Sequence, residues 1–90
     1  MAPAPYRTTP VFDEVTLPAA LRAEHRTRAG VWGVIRVLEG RFRLTYADPA
    51  GEVILDPSTP GLVRPEQTHF VTPLGAARMQ VEFYDLHPAI

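Results

Sequence analysis

This 90-residue chain has no cysteine and no lysine. Without cysteine there is no disulfide staple, no zinc ribbon and no thiol nucleophile, so the fold must rest on packing, association or a bound ion. All nine basic side chains are arginine and the formal net charge is −1, which is far from the strongly basic footprint of a nucleic-acid-binding domain. No apolar run is long enough to cross a bilayer, and residues 1–10 have neither the charged start nor the apolar core of a secretory signal. These absences predict a soluble cytoplasmic chain with no nucleic-acid and no membrane partner. At this length a single domain is expected, close to the size at which burial is only just sufficient.

Catalytic signatures are missing too. There is no G-x-S-x-G elbow, no phosphate loop and no dinucleotide fingerprint, and Ser58 sits in a proline turn with no base to match it. Asp13 and Glu14 are adjacent, so an extended chain points them to opposite sides, the wrong arrangement for shared acid–base work. No catalytic residue is assigned.

Short strands between glycine and proline turns dominate what is present. Residues 1–10 are proline-rich and read as an arm, because proline removes a donor and fixes φ. Residues 20–26 are read as a strand, although their alanine, leucine, arginine and glutamate would suit a helix. Residues 31–38 are rich in Val, Ile and Trp, and Gly40 predicts a hairpin into residues 41–46. Phe42, Leu44 and Tyr46 then share one face, opposite Arg41, Arg43 and Thr45. Further strands are expected at residues 53–55, 62–63, 69–72 and 78–84. In the last of these, Met79, Val81 and Phe83 alternate with Gln80, Glu82 and Tyr84. With no long helix and no repeat, the pattern predicts an all-β sandwich or barrel. Unpaired edges in so short a β-chain further predict a homodimer.

Two histidines fall inside this frame: His25, beside Arg22, Arg26 and Arg28, and His69, after a proline-rich turn. The arginines read as a solvated edge and loop, with the alternative that one faces inward and attracts an anion, since a guanidinium fork suits oxyanions. His87 lies in the tail. Trp32 and Tyr84 read as packing residues, and Glu39 as a turn residue without chemistry.

Several short motifs together resemble the small TehB/YeaR-like cupins. They are T-T-P-x-F-D-E-x-T at residues 8–16, P-A-A-L at 18–21, H-R-T-R-A-G-V-W-G at 25–33, V-L-E-G at 37–40 and V-E-F-Y at 81–84. The resemblance implies a small single-domain cupin-like β-barrel of the double-stranded β-helix or jelly-roll type, over residues 11–86 between the arm and a tail at 87–90. It also implies an association with tellurite or nitrogen-oxide stress. Some relatives carry the domain in front of a tellurite-resistance methyltransferase, but 90 residues leave no room for a methyl-donor domain, so methyl transfer is not expected.

The chain departs from the metal-binding cupin pattern. Counting back from Gly40, the pattern's glutamate falls on Gly33 and its paired histidines around residues 26–29, where no histidine stands. A reduced site of His25, His69 and Glu82 remains as the candidate metal centre, for zinc, iron or nickel, because two histidines and a carboxylate suffice for a facial triad or a three-ligand zinc. The parity of Glu82 opposes this. It falls off the face of Met79, Val81 and Phe83, and the competing assignment pairs it with Arg36 or Arg78. The resulting expectation is a non-catalytic barrel that binds a metal ion or a small anionic ligand. Two alternatives stay open: an Fe(II) oxygenase-like enzyme using His25, His69 and Glu82, and a purely structural association domain.

Overall fold

Apolar and polar side chains alternate along β8 (Arg78–Tyr84), which is a single unbroken strand with Met79 and Val81 buried on one face. It is the hub of the larger sheet. The computed structural model describes residues 4–88, so residues 1–3 of the expected arm and 89–90 of the expected tail lie outside the described residues. On one side β8 pairs antiparallel with β3 (Trp32–Glu39), in a register that sets Ile35 opposite Val81 and Val37 opposite Met79. On the other side lie two short arm strands, β1 (Arg7–Thr8) and β2 (Phe12–Asp13). The arm's backbone thus covers an edge that β8 would otherwise present to water.

A second sheet has β4 (Phe42–Ala47) at its centre, between β5 (Ala50–Leu55) and β7 (His69–Pro73). The short β6 (Gly61–Val63) returns to the first sheet and pairs with β3. Phe42 and Leu44 of β4 are fully buried and meet Leu55, Val63, Val71 and Met79 in one core. Each such side chain contributes about 1.5–3 kcal/mol of burial. The sequence-predicted face of Phe42, Leu44 and Tyr46 is realised, with the Tyr46 hydroxyl donating to the Leu62 carbonyl at 2.6 Å. The architecture is an all-β, two-sheet, cupin-like barrel. Among the described residues, no helix is long and apolar enough to cross a membrane.

Two local expectations are overturned. Residues 20–26 do not form a strand: Ala19–Arg22 is a single helical turn, α1, led by Pro18, whose carbonyl accepts from Leu21 N at 3.0 Å. Helix-favouring alanine, leucine and arginine prevail over that short distance, and Ala23 returns the chain to an extended conformation. Nor is there a hairpin at Gly40, because β3 and β4 belong to different sheets. Gly40 has φ +71°, and a Cβ there would overlap the Ala76 carbonyl oxygen and lie 2.8 Å from the Ala77 Cβ. The turn therefore packs against the approach to β8 and carries the chain across the core instead of folding β4 back on β3.

Candidate binding cavity

The chain becomes extended after α1, and His25 lies antiparallel beside His69 at the free edge of β7. The two residues exchange both backbone hydrogen bonds, His25 N to His69 O at 3.0 Å and His69 N to His25 O at 2.9 Å. This pairing brings their rings together, with centroids 4.1 Å apart and planes tilted by 55°.

The two rings are anchored alike. His25 Nδ1 lies 3.0 Å from the Ala23 carbonyl oxygen, and His69 Nδ1 lies 2.7 Å from that of Gln67. A carbonyl only accepts, so each Nδ1 is assigned the proton of the neutral ring and each Nε2 keeps its lone pair. His69 is 4% exposed. Burial holds its pKa below the ordinary value, against the opposing effect of the Gln67 carbonyl, and repulsion between the two rings when both carry a proton acts in the same direction as burial.

Both histidines line a cavity of about 430 Å³ between the sheets. Its floor is apolar and buried: Ile35, Val63, Val71, Met79 and Val81. Its exposed rim carries Arg7, Arg26 and Arg28. None of these three forms a salt bridge with a described carboxylate, since the ion pairs present use Arg36, Arg43 and Arg78. Among the described residues, no aspartate or glutamate lines the cavity. Arg22, the remaining arginine of the basic cluster, is turned back onto the Leu17 and Glu14 carbonyls. Thr27 secures the loop that carries the rim by donating to the Val31 carbonyl at 2.8 Å.

His25 and His69 are brought together, and Glu82 is not. Met79, Val81 and Phe83 line the cavity, so strand alternation turns Glu82 to the opposite face of the sheet. There its Oε1 accepts from Arg36 Nε at 2.9 Å and from the Tyr84 hydroxyl at 2.9 Å. The three residues expected as a metal set are therefore not brought together: only His25 and His69 share the cavity, and Glu82 stands on the other face of the sheet. Among the described residues, no three His, Cys, Asp or Glu side chains are placed to hold one ion. His87 lies away from the cavity against Trp32, with ring centroids 4.4 Å apart.

Three lining residues were missed in the sequence. Tyr6 and Arg7 read only as part of an arm, and nothing local signals that β1 brings them beside Phe83. Gly33 stood out only as the position where a pattern glutamate was absent. In the structure it lines the cavity from the middle of β3.

Fold and cavity together define a small cupin-like β-barrel with a polar rim. Residues 7–81 match the TehB-like domain family, and the chain belongs to it. The probable S-adenosyl-L-methionine-dependent methyltransferase TehB of Haemophilus influenzae is 31% identical over 51 residues, which are 57% of this chain and 18% of that protein. The crystal structure of TehB from H. influenzae superposes with a TM-score of 0.82 at 27% identity, over 92% of this chain and 31% of that one. The chain thus spans about a third of that larger structure. A protein from E. coli strain K12 matches with a TM-score of 0.80 at 20% identity, over 98% of this chain and 94% of its own. The FeII form of HppE is a more distant likeness in fold, with a TM-score of 0.62 at 19% identity over 82% of this chain and 40% of the other.

Proposed function

We propose that the barrel is a non-catalytic binding module that holds a small anionic ligand at its arginine rim. The observation that carries this reading is charge without compensation: Arg7, Arg26 and Arg28 share a cavity with two histidines and no carboxylate. A guanidinium binds a carboxylate or oxyanion through paired, charge-assisted hydrogen bonds, which are stronger beside an apolar floor than in open water. The histidine Nε2 atoms add two acceptors, suited to a ligand group that itself carries a proton. Isothermal titration with nitrite, tellurite, phosphate and simple carboxylates tests the reading. Tellurite and nitrite belong in the set because the family resemblance carries an association with those stresses. Saturable binding that is lost in Arg26→Ala/Arg28→Ala supports it, and no binding of any anion at millimolar concentration rejects it.

A second reading is favoured by the anchoring of the rings. Metal-binding histidines commonly donate their other ring N–H to a carbonyl or carboxylate, and both histidines here do so. His25 and His69 would then supply two nitrogens to zinc, iron or nickel, with water or the anion completing the sphere. The facial triad with Glu82 does not fit, so an oxygenase reaction built on that triad is not part of the proposal.

A further inference from the structure

The anion-binding reading leaves the kind of anion open, and the shape of the cavity speaks to it. A volume of about 430 Å³ lies within the ~300–1,000 Å³ range of small-molecule sites. It equals the liquid volume of on the order of a dozen waters. An inorganic oxyanion would occupy a small part of that space and leave the floor facing trapped water. Ile35, Val63, Val71, Met79 and Val81 offer that water no hydrogen bond.

Gly33 lines the cavity with no side chain to occupy it. It sits in an eight-residue strand otherwise rich in strand-forming Val, Ile and Trp, and it shows none of the positive φ that requires glycine elsewhere in the chain. A Cβ at this position would meet Val63 Cβ at 3.6 Å and Val81 Cγ1 at 3.9 Å, which is ordinary contact. Neither backbone conformation nor steric overlap therefore demands glycine here. What its missing side chain leaves is volume beside Val63 and Val81 on the cavity wall.

Resting on the anion-binding reading above, we infer that the ligand is an organic acid whose apolar body lies over Gly33 while its carboxylate meets the arginine rim. The charged groups stand at the exposed rim, and the buried floor is aliphatic with Phe83 beside it, so the ligand class is an aromatic or medium-chain aliphatic carboxylate. Such a ligand fills the cavity, displaces its water and presents one charge where Arg7, Arg26 and Arg28 form no salt bridge with a described carboxylate.

Isothermal titration of the full chain with 2-naphthoate, octanoate, acetate, phosphate and tellurite tests this, repeated on Gly33→Val and Gly33→Ala. The expected result is that 2-naphthoate or octanoate binds at least tenfold more tightly than acetate, phosphate or tellurite. Gly33→Val should weaken the bulky acid at least tenfold and leave acetate within twofold. Gly33→Ala, which the contact distances accommodate, should produce a smaller loss in the same direction and guards against misfolding of the valine variant. If the inorganic anions bind as tightly as 2-naphthoate, or both Gly33 variants bind it unchanged, the organic-acid inference is overturned while anion binding stands. If no anion binds the wild-type chain, the anion-binding reading fails and takes this inference with it.

Discussion

Arg36 and Glu82 meet across β3 and β8, Nε to Oε1 at 2.9 Å, on the sheet face that turns away from the cavity. Tyr84, itself buried, donates its hydroxyl to the same carboxylate oxygen. The contact occupies the one carboxylate that sequence reasoning had offered to the histidines. It makes Glu82 a structural residue of the outer face.

Glu82→Gln should therefore lower stability modestly and leave the cavity untouched. The pair is partly exposed, so a loss of about 1 kcal/mol is expected from urea denaturation. Anion and zinc affinities measured on the same protein should stay within twofold of wild type. A tenfold loss of zinc affinity would return Glu82 to the metal set.

Zinc offers a complementary test of the histidine pair. Two protein nitrogens predict weak binding, in the micromolar range or weaker, that either His25→Ala or His69→Ala abolishes. Titration followed by competition with a chromophoric chelator reads this directly. Unchanged zinc binding in both variants would remove the metal reading.

The pH dependence of stability should carry the mark of His69. Its pKa in the fold lies below the ordinary 6.5, so between the two values the unfolded chain binds more protons than the folded one. The contribution of neutral His69 is full above about pH 6.5 and declines as the pH falls toward the folded-state value. Urea midpoints compared at pH 7.5 and pH 5 should fall more for the wild type than for His69→Gln. Equal shifts in the two proteins would show that the ring is not held neutral.

Two glycines should respond in opposite directions to the same substitution. Gly33→Ala adds contact at ordinary distances within a strand, so stability should hold or rise by about 0.5 kcal/mol. Gly40→Ala places a Cβ on a positive-φ backbone and against the Ala76 carbonyl, so a loss of about 2 kcal/mol or more is expected. Thermal unfolding of the two variants side by side separates them.

The arm and the remaining edges make a prediction about assembly. Deleting residues 1–12 removes the Thr9 contacts with the Val81 backbone and the rim residue Arg7, so both stability and anion affinity should drop. β5 keeps an unpaired edge, with Ile54 41% exposed, and a homodimer is proposed to cover apolar surface of this kind. Light scattering should then give twice the 10.0 kDa chain mass. A single-chain mass at micromolar concentration would show that the barrel stands alone.

Strand periodicity was legible in the residues themselves. Phe42, Leu44 and Tyr46, and likewise Met79, Val81 and Phe83, alternate with polar neighbours, and those faces are the ones that turn inward in the fold. Side-chain direction along a strand depends only on the local backbone, so alternation is written in adjacent residues. The same parity argued against Glu82 as a ligand, and Arg36, one of the two partners the sequence offered it, is the one it meets. Propensity was less reliable over short spans: four residues at Ala19–Arg22 followed their helical preference where a strand was expected.

The sequence by itself determined the all-β class, the inward faces of its main strands and the two histidines worth following. Only the tertiary structure decided that β3 and β4 part into different sheets, that the arm supplies Arg7 to the rim, and that His25 lies against His69. Those outcomes depend on which strands pair across long separations, and pairing is settled by closing one core around Phe42, Leu44 and Met79. No local pattern encodes that choice, because strands of equal alternation are interchangeable until the whole chain has to bury them at once.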